Sequence, residues 1–221
     1  MTLDTVLTFI AELPVSLKLI FVGVPLFIMF SKWLTSSSGK GWWGEKQVNW
    51  ILNRLDSDKY MRFEDVYLPH PTKDQTTQID HLVLSQFGIY VIETKNFRGW
   101  IFGTARQSQW TQSLPGGRKQ RFPNPLHQNR THLRAVAKFL DLNEKDLTGL
   151  VYFIGDAEFK KGVPEGVYTT GFLPPITDKT EPIWTSDQVS KWAEKIEASQ
   201  QKTAKARRRT AKEHREKIGS I

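Results

Sequence analysis

Two apolar runs, at 79–84 and 89–92, flank Ser85-Gln86-Phe87-Gly88, a pattern that predicts a β-hairpin with a four-residue loop. Helical spacing recurs three times. Val48, Ile51, Leu52 and Leu55 predict an amphipathic helix opening the globular part of the chain, and Leu133, Val136 and Leu140 a second helix ending at Phe139 or Leu140. Asn124 serves as the cap of that second helix and Pro125 fits its first position. Val189, Trp192, Ala193 and Ile196 predict a third from Ser186, beyond which the apolar face disappears. Strands are expected at 63–68, 150–154 and 167–172, and the stretch from Asn96 reads as a turn and a strand ending near Trp110. Residues 114–122, with Pro-Gly-Gly and Arg118, Lys119 and Arg121, read as a basic loop, either solvated or gripping a phosphate backbone.

Residues 13–34 follow neither period. They are apolar except for Ser16, Lys18, Ser31 and Lys32, and the charge-free core 19–31 falls short of the roughly 20 residues of a spanning helix. Snorkelling of Lys18 would extend it. A secretory signal is disfavoured because Asp4 and Glu12 precede the run and no small-residue cleavage site follows. An amphipathic helix in the membrane surface is the other alternative. The expectation is a single-pass membrane anchor in 1–34. Lys32, Lys40 and Lys46 follow it, so the positive-inside rule places the C-terminal bulk in the cytoplasm. Residues 35–41 read as a flexible linker, 42–176 as the globular domain, and 177–221 as a helix and basic tail.

Composition narrows the chemistry. The 221 residues are 39% hydrophobic and 12% aromatic, enough for one core with appendages. With no cysteine there is no disulfide framework, thiolate zinc site or cysteine nucleophile. Formal charge is +8, which favours polyanionic partners. Most of it lies in 201–217, a solvated helix or disordered tail suited to anionic lipid or nucleic acid. His127 and His132 are five apart, a poor spacing for chelation from a helix.

The hairpin carries the chemistry. Pairing Leu84 with Ile89 sets Asp80 opposite Glu93, and Lys95, two residues on, points to the same face. Opposed carboxylates in an apolar sheet repel and lose hydration unless a cation or hydrogen bonds intervene. Mg²⁺ or Mn²⁺ suits such hard oxygen ligands. A plain structural ion pair between Asp80 and Lys95 satisfies the same pattern. Glu45, three before Val48, either aims into the core or complements the helix dipole. Gln128 and His132, four apart, share a face of the second helix.

Gly44-Glu45 with Val48, Gln78-Ile79-Asp80-His81, Gly88 through Asn96 with Ile92-Glu93-Thr94-Lys95-Asn96, then Asn124-Pro125 and Gln128 resemble the nuclease-related domain (NERD) family over about residues 40–140. That resemblance implies the PD-(D/E)XK, restriction-endonuclease-like α/β fold, a mixed central sheet flanked by helices. It implies Asp80 and Glu93 as metal carboxylates, Lys95 as the catalytic lysine, Glu45 as a further acidic site residue and Gln128 as a site-lining residue. Ile79 stands where the superfamily pattern has proline.

The expected function is a membrane-anchored, Mg²⁺- or Mn²⁺-dependent endonuclease hydrolysing DNA phosphodiesters. The alternatives are a catalytically silent module binding nucleic acid or protein at the membrane, and a membrane adaptor acting through the basic tail.

Overall fold

The computed structural model describes residues 46–169 and 174–219, with side chains described in 46–169 and 175–205. The expected membrane anchor at 13–34, the linker at 35–41 and Glu45 lie outside these residues. No helix among the described residues is long and apolar enough to cross a membrane.

The main sheet has strand order β1-β2-β3-β7-β9. Strands β1 (Tyr60–Pro69), β2 (Thr76–Ser85) and β3 (Gly88–Asn96) form an antiparallel meander. Strands β7 (Leu147–Ile154) and β9 (Val167–Thr169) continue it in parallel. A second sheet, order β6-β5-β4-β8, is built from β4 (Gly99–Phe102), β5 (Gln109–Ser113), β6 (Lys119–Pro123) and β8 (Ala157–Phe159). The expectation of one strand ending near Trp110 and a basic loop over 114–122 is therefore corrected. Trp110 lies inside β5, and the basic residues sit on a hairpin whose outer strand is β6. Of the β6 side chains only Phe122 is buried. Three neighbouring polar or charged positions erased the alternating pattern that marks a strand.

Four α-helices and one 3-10 turn (Glu144–Asp146) complete the described chain: α1 at 46–52, α2 (Pro125–Leu140), the short α3 (Pro174–Thr177) and α4 (Ser186–Gly219). The period of two along β3 divides the core. Ile89 and Val91 pack with Ala135, Val136 and Leu140 of α2 and with Val189, Ala193 and Ile196 of α4. Tyr90 and Ile92 pack on the other side with Val48, Leu52, Leu150 and Ile176. The architecture is thus mixed α/β, with helices on both faces of the main sheet. A third cluster, Ile101, Trp110, Phe122, Val151, Phe153 and Val167, joins the small sheet to β7. There Trp110 stacks on Phe153 at 6.0 Å between centroids.

The hairpin register is Leu84–Ile89, as the apolar pattern predicts. Its turn is tighter than expected, because Ser85 pairs with Gly88 and only Gln86 and Phe87 are left between the strands. The Ser85 hydroxyl closes it, donating to the Gly88 carbonyl at 2.9 Å and accepting from the N–H groups of Phe87 and Gly88.

Candidate active site

The alternation that buries Ile89 and Val91 beneath α2 carries Glu93 and Lys95 to the same side. Helix α2 supplies the opposing wall. It begins where the geometry of Asn124 demands: its side-chain oxygen accepts the Leu126 N–H at 2.9 Å. Its amide donates to the carbonyls of Thr104, Ala105 and Gln107. This fully buried side chain therefore caps the helix and clamps the 104–107 turn to it.

Next along α2, the Asn129 amide donates to the Val91 and Leu150 carbonyls, each at 3.0 Å, which pins the helix across the parallel pair β3–β7. Gly149 permits that approach. A Cβ there would lie 2.7 Å from Leu133 Cδ1 and 3.2 Å from the Asn129 amide nitrogen.

Pinned in this way, α2 brings Gln128 and His132 over the end of β3. The Lys95 ammonium donates to Glu93 Oε1 and to Gln128 Oε1, the latter at 3.2 Å. Glu93 is 1% exposed, and its Oε2 lies 3.4 Å from His132 Nδ1. That contact is not an ion pair. Burial, with the nearby Lys95 ammonium and His70, pushes the His132 pKa down to about 4, so the ring is neutral near pH 7. His132 was not singled out from the sequence as a site residue. The signal was there, since it stands four residues after Gln128 on one helical face.

Asp80 lies at an interruption of the sheet. The β1–β2 pairing passes from Glu64–His81 to Val66–Ile79, skipping Asp65–Asp80, and Asp65 takes a left-handed φ of 51°. On the other side the β2–β3 ladder ends at His81–Ile92. The regular Asp80–Glu93 pair expected from the register is therefore not formed. Instead Asp80 Oδ2 accepts the Thr94 N–H at 2.7 Å, which keeps the carboxylate against β3 beside Glu93. Burial raises the Asp80 pKa, and Asp65 adds to the rise, while the Thr94 N–H and Lys95 act against it.

Glu93, Lys95, Gln128 and His132 are thus in one contact network, with Asp80 bonded to the residue between Glu93 and Lys95. Among the described residues no group of three or more His, Asp or Glu is spaced to hold a metal ion. The donor set fits a hard divalent ion in kind: two carboxylates, one deeply buried and one whose charge burial disfavours, with water completing the shell. Glu45 lies outside the described residues and its place relative to these groups is not part of this geometry.

The nuclease-related domain (NERD) family matches residues 40–154, just over half of the chain. An uncharacterized protein of Bacillus anthracis is 39% identical over 120 residues, covering 54% of this chain and 55% of that protein. The chain spans about half the length of the curated relative it matches. No solved structure matches the chain. On the extent of the family match, the chain belongs to the nuclease-related domain family.

Proposed function

We propose that this protein is a metal-dependent nuclease that hydrolyses DNA phosphodiester bonds. The observation that supports it most is the Lys95 ammonium, held between the buried Glu93 carboxylate and the Gln128 amide at the end of a strand that also anchors Asp80. Asp80 and Glu93 would hold Mg²⁺ or Mn²⁺. Such an ion, when bound, lowers the pKa of a ligated water and offsets charge on a phosphoryl oxygen. Lys95 orients the attacking water and meets negative charge developing on the phosphate. Gln128 fixes the lysine's position, and neutral His132 backs Glu93 without competing for its charge. Glu45, just before the first helix in the sequence, would complete the acidic shell.

The reading extends to the rest of the chain. The apolar run at 13–34 anchors the protein in a membrane, and the lysines that follow it put the domain on the cytoplasmic side. The basic stretch 201–217 adds affinity for anionic lipid or nucleic acid.

The test is cleavage of supercoiled plasmid in Mg²⁺ or Mn²⁺, with EDTA as control. Wild type is expected to nick or linearise DNA only with metal, and Lys95→Ala to lose that activity while keeping its circular dichroism. Equal cleavage by Lys95→Ala sinks the mechanism. Metal-independent DNA binding without cleavage would favour the silent module instead.

A further inference from the structure

The small sheet has an outer face that the proposed chemistry does not use. Its registers place Trp100 beside Ser113, and Ser113 beside Lys119; one step along, Phe102, Thr111 and Arg121 form a parallel row. Because side chains alternate, these six share one face, opposite the buried Ile101, Trp110 and Phe122. On that face Trp100 is 50% exposed, one of the large hydrophobic side chains left at the surface among the described residues. The Lys160 ammonium stands 4.6 Å from the ring centre.

The same ring lines a cleft of about 340 Å³ together with Leu114, Pro115, Gly116 and Gly117. A second cleft of about 590 Å³ shares Gly99, Leu114 and Pro115 with it and is bounded by Arg98, Arg118 and Asp156. The two adjoin along Gly99, Leu114 and Pro115 as a largely apolar trough, with Trp100 at one end and Arg98, Arg118 and Asp156 at the other. Gly116 and Gly117, at φ of 84° and 81°, form the tight turn that leaves its wall without side chains.

We infer that this trough binds single-stranded nucleic acid, one base stacking on Trp100 against Leu114 and Pro115 while Arg98, Arg118 and Lys119 hold the flanking phosphates. An exposed aromatic ring set among cations is the arrangement that engages unpaired bases. Every base offers a π-face, whereas a duplex hides those faces in its stack. Charge complementarity selects a polyanion: Arg98 and Arg118 line the trough against Asp156, and Lys119 stands beside Ser113 on the Trp100 face, while Lys160 is paired with Glu158, the neighbour of Trp100 on β8. Chain length limits the distance to the proposed site: Trp100 follows Lys95 by five residues, so their Cα atoms are at most about 18 Å apart. One strand can reach both. The inference rests on the nuclease reading for its purpose and names the form of the substrate, an unpaired strand or a frayed end.

The experiment is fluorescence anisotropy of a labelled oligothymidylate and of a duplex of equal length, using the full chain in EDTA so that cleavage plays no part. Wild type is expected to prefer the single strand. Trp100→Ala should weaken that binding about tenfold or more, and Trp100→Phe should restore most of it. Arg98→Ala and Arg118→Ala should each lower the slope of log affinity against log salt by about 0.7. Preference for the duplex, or equal single-strand binding by wild type and Trp100→Ala, overturns the inference. Because no metal is present, binding that passes this test while the same single strand stays uncut in Mg²⁺ or Mn²⁺ would refute the nuclease reading alone.

Discussion

The Asp80 carboxylate accepts the Thr94 N–H at 2.7 Å, one step beyond the last ladder pair of β2 and β3. A side chain here takes over the role that a main-chain carbonyl plays along the rest of the hairpin. The bond needs an acceptor oxygen and no charge, and burial already disfavours the charged form. Asp80→Asn is therefore expected to fold with unchanged or slightly higher stability at pH 7. Asp80→Ala, which strands the Thr94 N–H, should lose about 1–3 kcal/mol. Urea denaturation of the two variants decides it, and an equal loss in both would contradict the bond's neutral character.

Gln128 touches Lys95 through a single hydrogen bond at 3.2 Å and is half-buried at the start of α2. Gln128→Ala should leave the melting temperature nearly unchanged and reduce cleavage about 10–100-fold, the usual penalty for losing a residue that orients a reacting group. Gln128→Glu, which keeps an acceptor oxygen, should retain more activity than the alanine variant. Single-turnover cleavage rates measure both.

Asn129 is the brace that places the whole wall. Asn129→Leu removes the donor shared by the Val91 and Leu150 carbonyls in a region with no room for extra volume beside Gly149. A loss of about 2–4 kcal/mol in chemical denaturation is expected, from two buried carbonyls left without their donor and from overpacking.

On the opposite face of β3, the Tyr90 hydroxyl donates to the Ile176 carbonyl at 3.2 Å, and burial, with a smaller effect from Tyr60, raises its pKa to about 12. The unfolded phenol titrates near 10. Below pH 10 both states keep the proton and stability is intact. Between pH 10 and 12 only the unfolded state loses it, so stability falls through that window by up to about 3 kcal/mol. Thermal melts from pH 8 to alkaline values should show this slope, and Tyr90→Phe should flatten part of it.

How much of this was legible in the chain depends on where pattern and local chemistry agree. Leu84 opposite Ile89, the Asn124 cap and the Val189–Ile196 face are fixed by burial or by one hydrogen bond within a few residues, and the structure has all three. The turn at Ser85–Gly88 was misjudged by two residues because a hydroxyl bonding its own neighbours leaves no trace in the apolar pattern. The small sheet was hidden for another reason: β6 carries Lys119, Gln120 and Arg121 in succession, and its pairing with β5 comes from the partner strand. The interruption at Asp65–Asp80 was likewise invisible, since a left-handed φ at a single aspartate leaves no mark in the apolar pattern. Glu93 and Lys95 share a face, as the alternation along β3 requires, and Gln128, which only the family resemblance brings to the site, bonds Lys95; the contributions of Asn129 and His132 emerge only once α2 lies across β3 and β7.

The most direct measurement is calorimetric titration of Mn²⁺ into the wild-type protein and into Asp80→Asn, the variant expected to keep the fold. Mn²⁺ binding by the wild type that disappears in Asp80→Asn is the predicted result. Equal binding by both proteins, or none by the wild type even with a non-cleavable phosphorothioate oligonucleotide present, would contradict a metal site built on Asp80 and Glu93.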